Sequence, residues 1–254
     1  MGKLYRVKRK LQKKWEAYKI KITKPNKDAL WVFGVQKSGT SAIAGLLAHR
    51  ANKTVTLDTP YLWEPYYSEI ISGNLSLKHH VIKNPFPFSK DIIKEPAASV
   101  MIGHIEKIFN LPQYLFIYRE PHDVIRSILN RLDLPGNKKN VNFHSIDANW
   151  QIHFKSHGKN YINDLIELWI NVYSQKEYIN NPNCILVTYK DFVQDKQKFI
   201  DGLCKKLNYK PVKDIAHLLD HNFQPKGNSN VNLKSFFGEE NYNNIENKTK
   251  AYQL

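Results

Sequence analysis

Residues 30–47 read as a strand, a tight loop and a helix in immediate succession, and this stretch constrains the fold more than any other. Leu30–Val35 is an apolar run of strand-forming residues, of the length of a buried parallel strand. The loop Gly34-Val-Gln36-Lys37-Ser38-Gly39-Thr40-Ser41 follows. Its glycines permit a sharp turn and let backbone N–H groups face an oxyanion. Thr40 and Ser41 then open a helix whose first amides and dipole favour negative charge, and Lys37 adds a full positive charge. The order is not that of an ATP-binding loop, which needs Gly-Lys-Ser/Thr; here the lysine precedes Gly39. A P-loop nucleotide kinase or NTPase remains a competing reading, although the Mg²⁺-binding arrangement usual for such enzymes is not evident.

Other apolar runs recur at Thr54–Leu57, His80–Lys83, Tyr114–Tyr118 and Cys184–Thr188. Amphipathic segments lie between them near 41–51, 97–110, 121–132, 161–179 and 191–207. This alternation predicts α/β architecture: a single domain with an open parallel sheet of about five strands and helices on both faces. Ligands of such sheets bind at the carboxyl ends of the strands. Residues 133–160 are polar and predict an excursion or lid. The Asn-rich tail after Phe223 predicts loose structure, with the last residues fraying. The two cysteines, Cys184 and Cys204, sit in apolar surroundings and read as free core thiols.

The net charge of +15 is unevenly placed. Residues 1–27 hold eleven Lys or Arg against the single acid Glu16, so they carry ten of those fifteen charges. The rest of the chain is only mildly basic, which argues against a nucleic-acid partner. In the leader, Leu4, Val7, Leu11, Trp15, Tyr18 and Ile22 recur at helical spacing opposite the lysines. A basic amphipathic helix over residues 1–27 is expected, either packed on its own domain or touching an anionic membrane surface or polyanion. No window approaches the ~18 apolar residues of a membrane span.

A second anion-binding pattern lies in Tyr118-Arg119-Glu-Pro121…Ser127. Arg119 closes a strand, Pro121 suits the first position of a helix, and Ser127 lies two turns along it. The arginine fork and the hydroxyl can converge on one phosphate. Together with Lys37-Ser38-Gly39-Thr40-Ser41 this resembles the sulfotransferases that use 3′-phosphoadenosine 5′-phosphosulfate (PAPS), over roughly residues 28–230. The resemblance implies that Gln36, Lys37, Ser38, Gly39, Thr40 and Ser41 hold the 5′-phosphosulfate, and that Arg119 and Ser127 hold the 3′-phosphate. Val187-Thr-Tyr189-Lys-Asp191-Phe192 is similar to an element of the family in which the tyrosine lies near adenine. Gln224-Pro-Lys226-Gly227-Asn228 resembles the loop that closes over the 3′-phosphate.

Two departures separate this chain from the cytosolic members and place it closer to the carbohydrate and bacterial type. Ala42 stands where they carry a tryptophan, and Lys83-Asn84-Pro85 where they carry Lys-Thr-His. The resemblance implies in-line transfer of a sulfuryl group to an acceptor hydroxyl, with adenosine 3′,5′-bisphosphate (PAP) as product and no metal. Lys37, Glu64 and Lys83 are the expected catalytic residues: Glu64 as base, Lys37 at the leaving oxygen and Lys83 near the transferred group. His79, His80 and His104 compete with Glu64. Lys138, Lys139, His144, Trp150, His153 and Lys155 of the excursion are candidate contacts to the acceptor, a saccharide, lipid-linked glycan or small alcohol. A cytoplasmic enzyme, peripheral to the membrane if the leader binds lipid, is the expectation; a non-catalytic nucleotide-binding module tethered by the leader is the remaining alternative.

Overall fold

Five short apolar runs form a single parallel sheet, whose three central strands are fully buried and whose two edge strands are partly exposed. The computed structural model describes residues 23–219 and 232–254. The strands are β1 Leu30–Phe33, β2 Val55–Leu57, β3 Ile92–Lys94, β4 Tyr114–Tyr118 and β5 Cys184–Thr188, in spatial order β2-β3-β1-β4-β5. Successive side chains of a strand point to opposite faces, and the core divides accordingly. Leu30 and Val32 of β1 join Leu115 and Ile117 of β4 in one cluster, while Trp31 and Phe33 join Tyr114, Phe116 and Tyr118 in the other.

The first cluster is covered by α1 (Thr40–Arg50), through Ile43, Leu46 and Leu47, and by a later helix through Ile200 and Leu203. Helices are numbered α2 Tyr66–Ile71, α3 Leu77–Lys83, α4 Ile102–Ile105, α5 Pro121–Leu132, α6 Tyr161–Tyr173, α7 Lys176–Ile179, α8 Tyr189–Gln194, α9 Lys196–Lys206 and α10 Leu233–Thr249. The second cluster lies beneath α5, α6 and α10, which pack on one another. No helix among the described residues is long and apolar enough to cross a membrane.

Five expectations need correction. His80–Lys83 is not a strand but the end of α3: Ser76 accepts a hydrogen bond from His79 N at 3.4 Å, and Leu77, His80 and Val81 turn inward at helical spacing. The missing strand is β3, three residues long and too short to show a period. From residue 232 on, the tail is not loose. Asn232 caps α10 by accepting from Ser235 N at 3.1 Å, and Phe237 and Ile245 are buried under it. The run near 161–179 divides into α6 and α7, that near 191–207 into α8 and α9, and that near 97–110 into a 3₁₀ turn, Pro96–Val100, and α4.

The excursion 133–160 is held in place rather than free. Val141 N donates to Gly158 O at 2.9 Å, Ser156 Oγ donates to Asp164 Oδ2 at 2.5 Å on α6, and Ile146 and Phe154 are buried. Of the expected leader helix, residues 1–22 lie outside the described residues, and 23–27 are not helical; there Asn26 N donates to Phe88 O at 2.8 Å. Phe237→Ala should lower unfolding free energy by about 3–5 kcal/mol in urea denaturation, because α10 is a core element and not a frayed end.

Candidate active site

The strand order places two loops side by side. From β1 the chain leaves toward the β2 edge, and from β4 it leaves toward the β5 edge, so a crevice opens between β1 and β4 at their carboxyl ends. Phe33 pairs with Phe116, which brings the loop from Gly34 onward level with the turn at Arg119. One further pairing, Tyr118 with Thr188, sets Tyr189 beside Arg119.

The loop entering this crevice is tightly shaped. Ser99 Oγ accepts from Gly34 N at 2.8 Å and donates to Gly34 O at 3.1 Å, so one hydroxyl pins the strand exit. Lys37 takes a left-handed conformation at φ 68° and Gly39 at φ 94°. A Cβ on Gly39 would fall 2.3 Å from the Tyr189 ring, so only glycine fits there. Gly39 is also the N-cap of α1 and offers no side-chain acceptor, which leaves the first amides of the helix aimed at the crevice. Burial, helped by the nearby charges of Arg131, Arg119 and Lys94, pulls the Lys37 pKa down to about 8.

Arg119 faces the loop and is braced from four sides. Its Nη1 donates to Lys37 O at 2.7 Å, and its guanidinium stacks 4.2 Å from the Tyr189 ring. Its backbone N donates to Tyr173 Oη at 3.3 Å, and its carbonyl accepts from Trp169 Nε1 at 3.0 Å. Its buried Nε has no partner among the described residues, and neither has Gln36 Oε1 in the loop. Ser127 lies on the same wall, two turns along α5. These groups border a cavity of about 1590 Å³. An anion held against them would meet a guanidinium fork, a lysine, uncapped helix amides and hydroxyls, the donor set of a phosphate or sulfate site.

The far end of the cavity is built from segments distant in sequence. Glu64 lies on its wall and accepts from Ser68 Oγ at 2.7 Å. Lys83 does not line the cavity; it ends α3 on the exposed surface. The strand-end lysine in the cavity is Lys94 of β3, buried and donating to Asp58 Oδ1 at 2.6 Å. Beside it stands Glu95, 1% exposed, whose pKa burial pushes up to about 7. Neither residue was singled out by sequence, although Lys94-Glu95-Pro96 directly follows an apolar pair.

His79, His80 and His104 also lie off the cavity, and His80 Nε2 is spent on Tyr61 O at 2.9 Å. Of the excursion residues, Trp150, His153 and Lys155 line the cavity, whereas Lys138, Lys139 and His144 do not. Burial pushes the His153 pKa down to about 4, so its ring is neutral at physiological pH. Lys226, Gly227 and Asn228 lie outside the described residues. No cluster of three or more metal-ligating side chains occurs among the described residues.

No protein-family model matches the sequence, and no curated protein matches it by sequence. Solved structures do match. A sulfotransferase from Mycobacterium avium, STF9, aligns at TM-score 0.58 and 13% identity over 94% of this chain and 79% of its own. Mouse sulfotransferase SULT7A1, in complex with PAP, aligns at TM-score 0.56 and 14% identity over 92% of this chain and 88% of its own. STF1 from Mycobacterium tuberculosis aligns at TM-score 0.53 and 10% identity over 94% and 81%. The chain has the sulfotransferase fold.

Proposed function

We propose that this protein is a PAPS-dependent sulfotransferase that acts on a hydroxyl of a carbohydrate or glycoconjugate. The observation that carries the reading is the junction of the Lys37 loop and Arg119 at the crevice between β1 and β4, with Ser127 on the same wall. Two anion subsites at adjacent strand ends, with the Tyr189 ring between them, suit a nucleotide carrying phosphate at one end and phosphosulfate at the other. Arg119 Nε, a buried donor without a partner among the described residues, fits such an occupant.

When bound, PAPS supplies an activated sulfuryl group with PAP as the departing portion. The chain's own groups do the rest. Lys37 and the first amides of α1 stabilise negative charge growing on the departing phosphate oxygen. Arg119 and Ser127 grip the 3′-phosphate, and Tyr189 stacks on the base. Lys94, not Lys83, serves as the lysine beside the transferred group. Glu64 takes the proton of the acceptor hydroxyl as the new bond forms. Trp63, Tyr67 and Trp150 on the cavity wall, interspersed with Asn149, Asn171 and Lys155, support a sugar acceptor, since aromatic faces cover sugar C–H surfaces while polar groups take the hydroxyls. The charge of residues 1–27 supports peripheral contact with an anionic surface from the cytoplasm.

PAP should raise the melting temperature without Mg²⁺, while ATP with Mg²⁺ has little effect; the opposite pattern would mark a nucleotide kinase. Lys37→Ala should remove measurable transfer of ³⁵S from labelled PAPS to a panel of glycosides while leaving circular dichroism unchanged. Glu64→Gln should lower turnover about 10²–10⁴-fold and spare PAP affinity. Lys37 is cationic below its pKa of about 8, so PAP affinity measured by calorimetry should weaken as pH rises through that value, and Lys37→Ala should flatten the dependence.

A further inference from the structure

Glu95 is a carboxylate held almost wholly out of water, yet the lysine next to it in sequence does not neutralise it. Lys94 Nζ turns to Asp58 instead, at 2.6 Å. Both Glu95 oxygens are taken by N–H donors. Oε2 accepts from Thr59 N at 2.7 Å and from Trp63 Nε1 at 3.1 Å, and Oε1 accepts from Ala97 N at 3.1 Å. Thr59 and Trp63 flank the 3₁₀ turn Pro60–Leu62, and Glu64 is the next residue. A single side chain on the end of β3 therefore grips both ends of the turn that leads into the cavity wall. Among the described residues Glu64 has no such long-range tie of its own; it accepts only from Ser68 Oγ, four residues on.

We propose that Glu95 is a positioning residue: by holding Thr59 and Trp63 it sets where the Trp63 ring and the Glu64 carboxylate stand in the acceptor end of the cavity. The role rests on the sulfotransferase reading, but the contact itself can be tested apart from it. Glu95 is poorly placed to act as a base, because its lone pairs already face three N–H groups and little of it is accessible. Protonation removes the charge that makes these three N–H contacts strong, so they weaken when the carboxyl takes up a proton. With burial lifting its pKa to about 7, the grip is present above that pH and loosens below it. The charged groups facing Glu95 are Asp58 from the end of β2, which favours the protonated form, and Lys94 from its own strand, which opposes it.

The chain's five tryptophans make the contact observable by NMR of ¹⁵N-labelled indoles, with Trp63 assigned through Trp63→Phe. The Trp63 indole resonance should titrate with a midpoint near 7, and in Glu95→Gln that titration should disappear. The same variant should keep PAP affinity within about twofold, while transfer from PAPS to 4-nitrophenyl β-glucoside falls about tenfold or more with the loss in turnover rather than in nucleotide binding. Should Glu95→Gln fail to fold, Trp63→Phe removes one donor and leaves the carboxylate; the acid limb of its turnover profile should then move to higher pH, because the charged form has lost a partner. An unchanged Trp63 titration in Glu95→Gln, an unshifted limb in Trp63→Phe, or full turnover in Glu95→Gln would each overturn the proposal. If PAP fails to bind the parent protein, the sulfotransferase reading falls, while the Trp63 titration still decides whether Glu95 holds the turn.

Discussion

The hydrogen bond from Arg119 Nη1 to the carbonyl oxygen of Lys37, 2.7 Å long, couples the loops that leave β1 and β4, and the remainder of the site is arranged around it. It demands that the Lys37 carbonyl turn toward β4, which the left-handed conformation of that residue allows. It demands equally that Arg119 be immobile, and Trp169, Tyr173 and Tyr189 hold it from α6 and α8. Helix α6 therefore does more than cover the sheet: its aromatic row sets the position of a cation. This bracing fixes donors before any ligand arrives, the condition under which fixed charges stabilise developing charge most effectively.

Cations crowd this end of the cavity at a cost. Lys37, Arg119, Arg131 and Lys94 repel one another, and with burial they weaken the hold of Lys37 on its proton. A polyanionic ligand supplies the missing negative charge, so the same crowding that disfavours Lys37 in isolation favours binding. At the other end, carboxylates differ by environment. Glu64 faces the cavity with one local hydroxyl bond, whereas Glu95 is enclosed and fully engaged by N–H donors. In the proposed mechanism these similar groups in dissimilar surroundings take separate roles, one toward the acceptor proton and one toward the scaffold.

Much of the fold was legible because its longest signals were local. The strands Tyr114–Tyr118 and Cys184–Thr188 and the helix Pro121–Leu132 have the bounds their periodicity predicts, since each is long enough to show a pattern and is bounded by Pro or polar residues. Leu77–Lys83 was misread as containing a strand because four residues, His80–Lys83, cannot distinguish a period of two from one of 3.6. The mistaken strand carried Lys83 with it. In the C-terminal helix, asparagines mask the pattern, and two buried side chains, Phe237 and Ile245, do the anchoring that composition hides.

The amino-acid order alone determined the chemistry of the anion loop. Glycine at 39, lysine at 37 and hydroxyls at 38, 40 and 41 act within one turn of chain, where backbone geometry leaves few alternatives. It also determined that Arg119 ends a strand and Ser127 follows on a helix. Only the tertiary structure decided which lysine and which carboxylates share the far end of the cavity. Lys94, Glu95, Asp58, Glu64 and His153 come from four separate segments, and strand order and register bring them together. Their proximity is a consequence of long-range pairing, to which no local pattern of residues is sensitive.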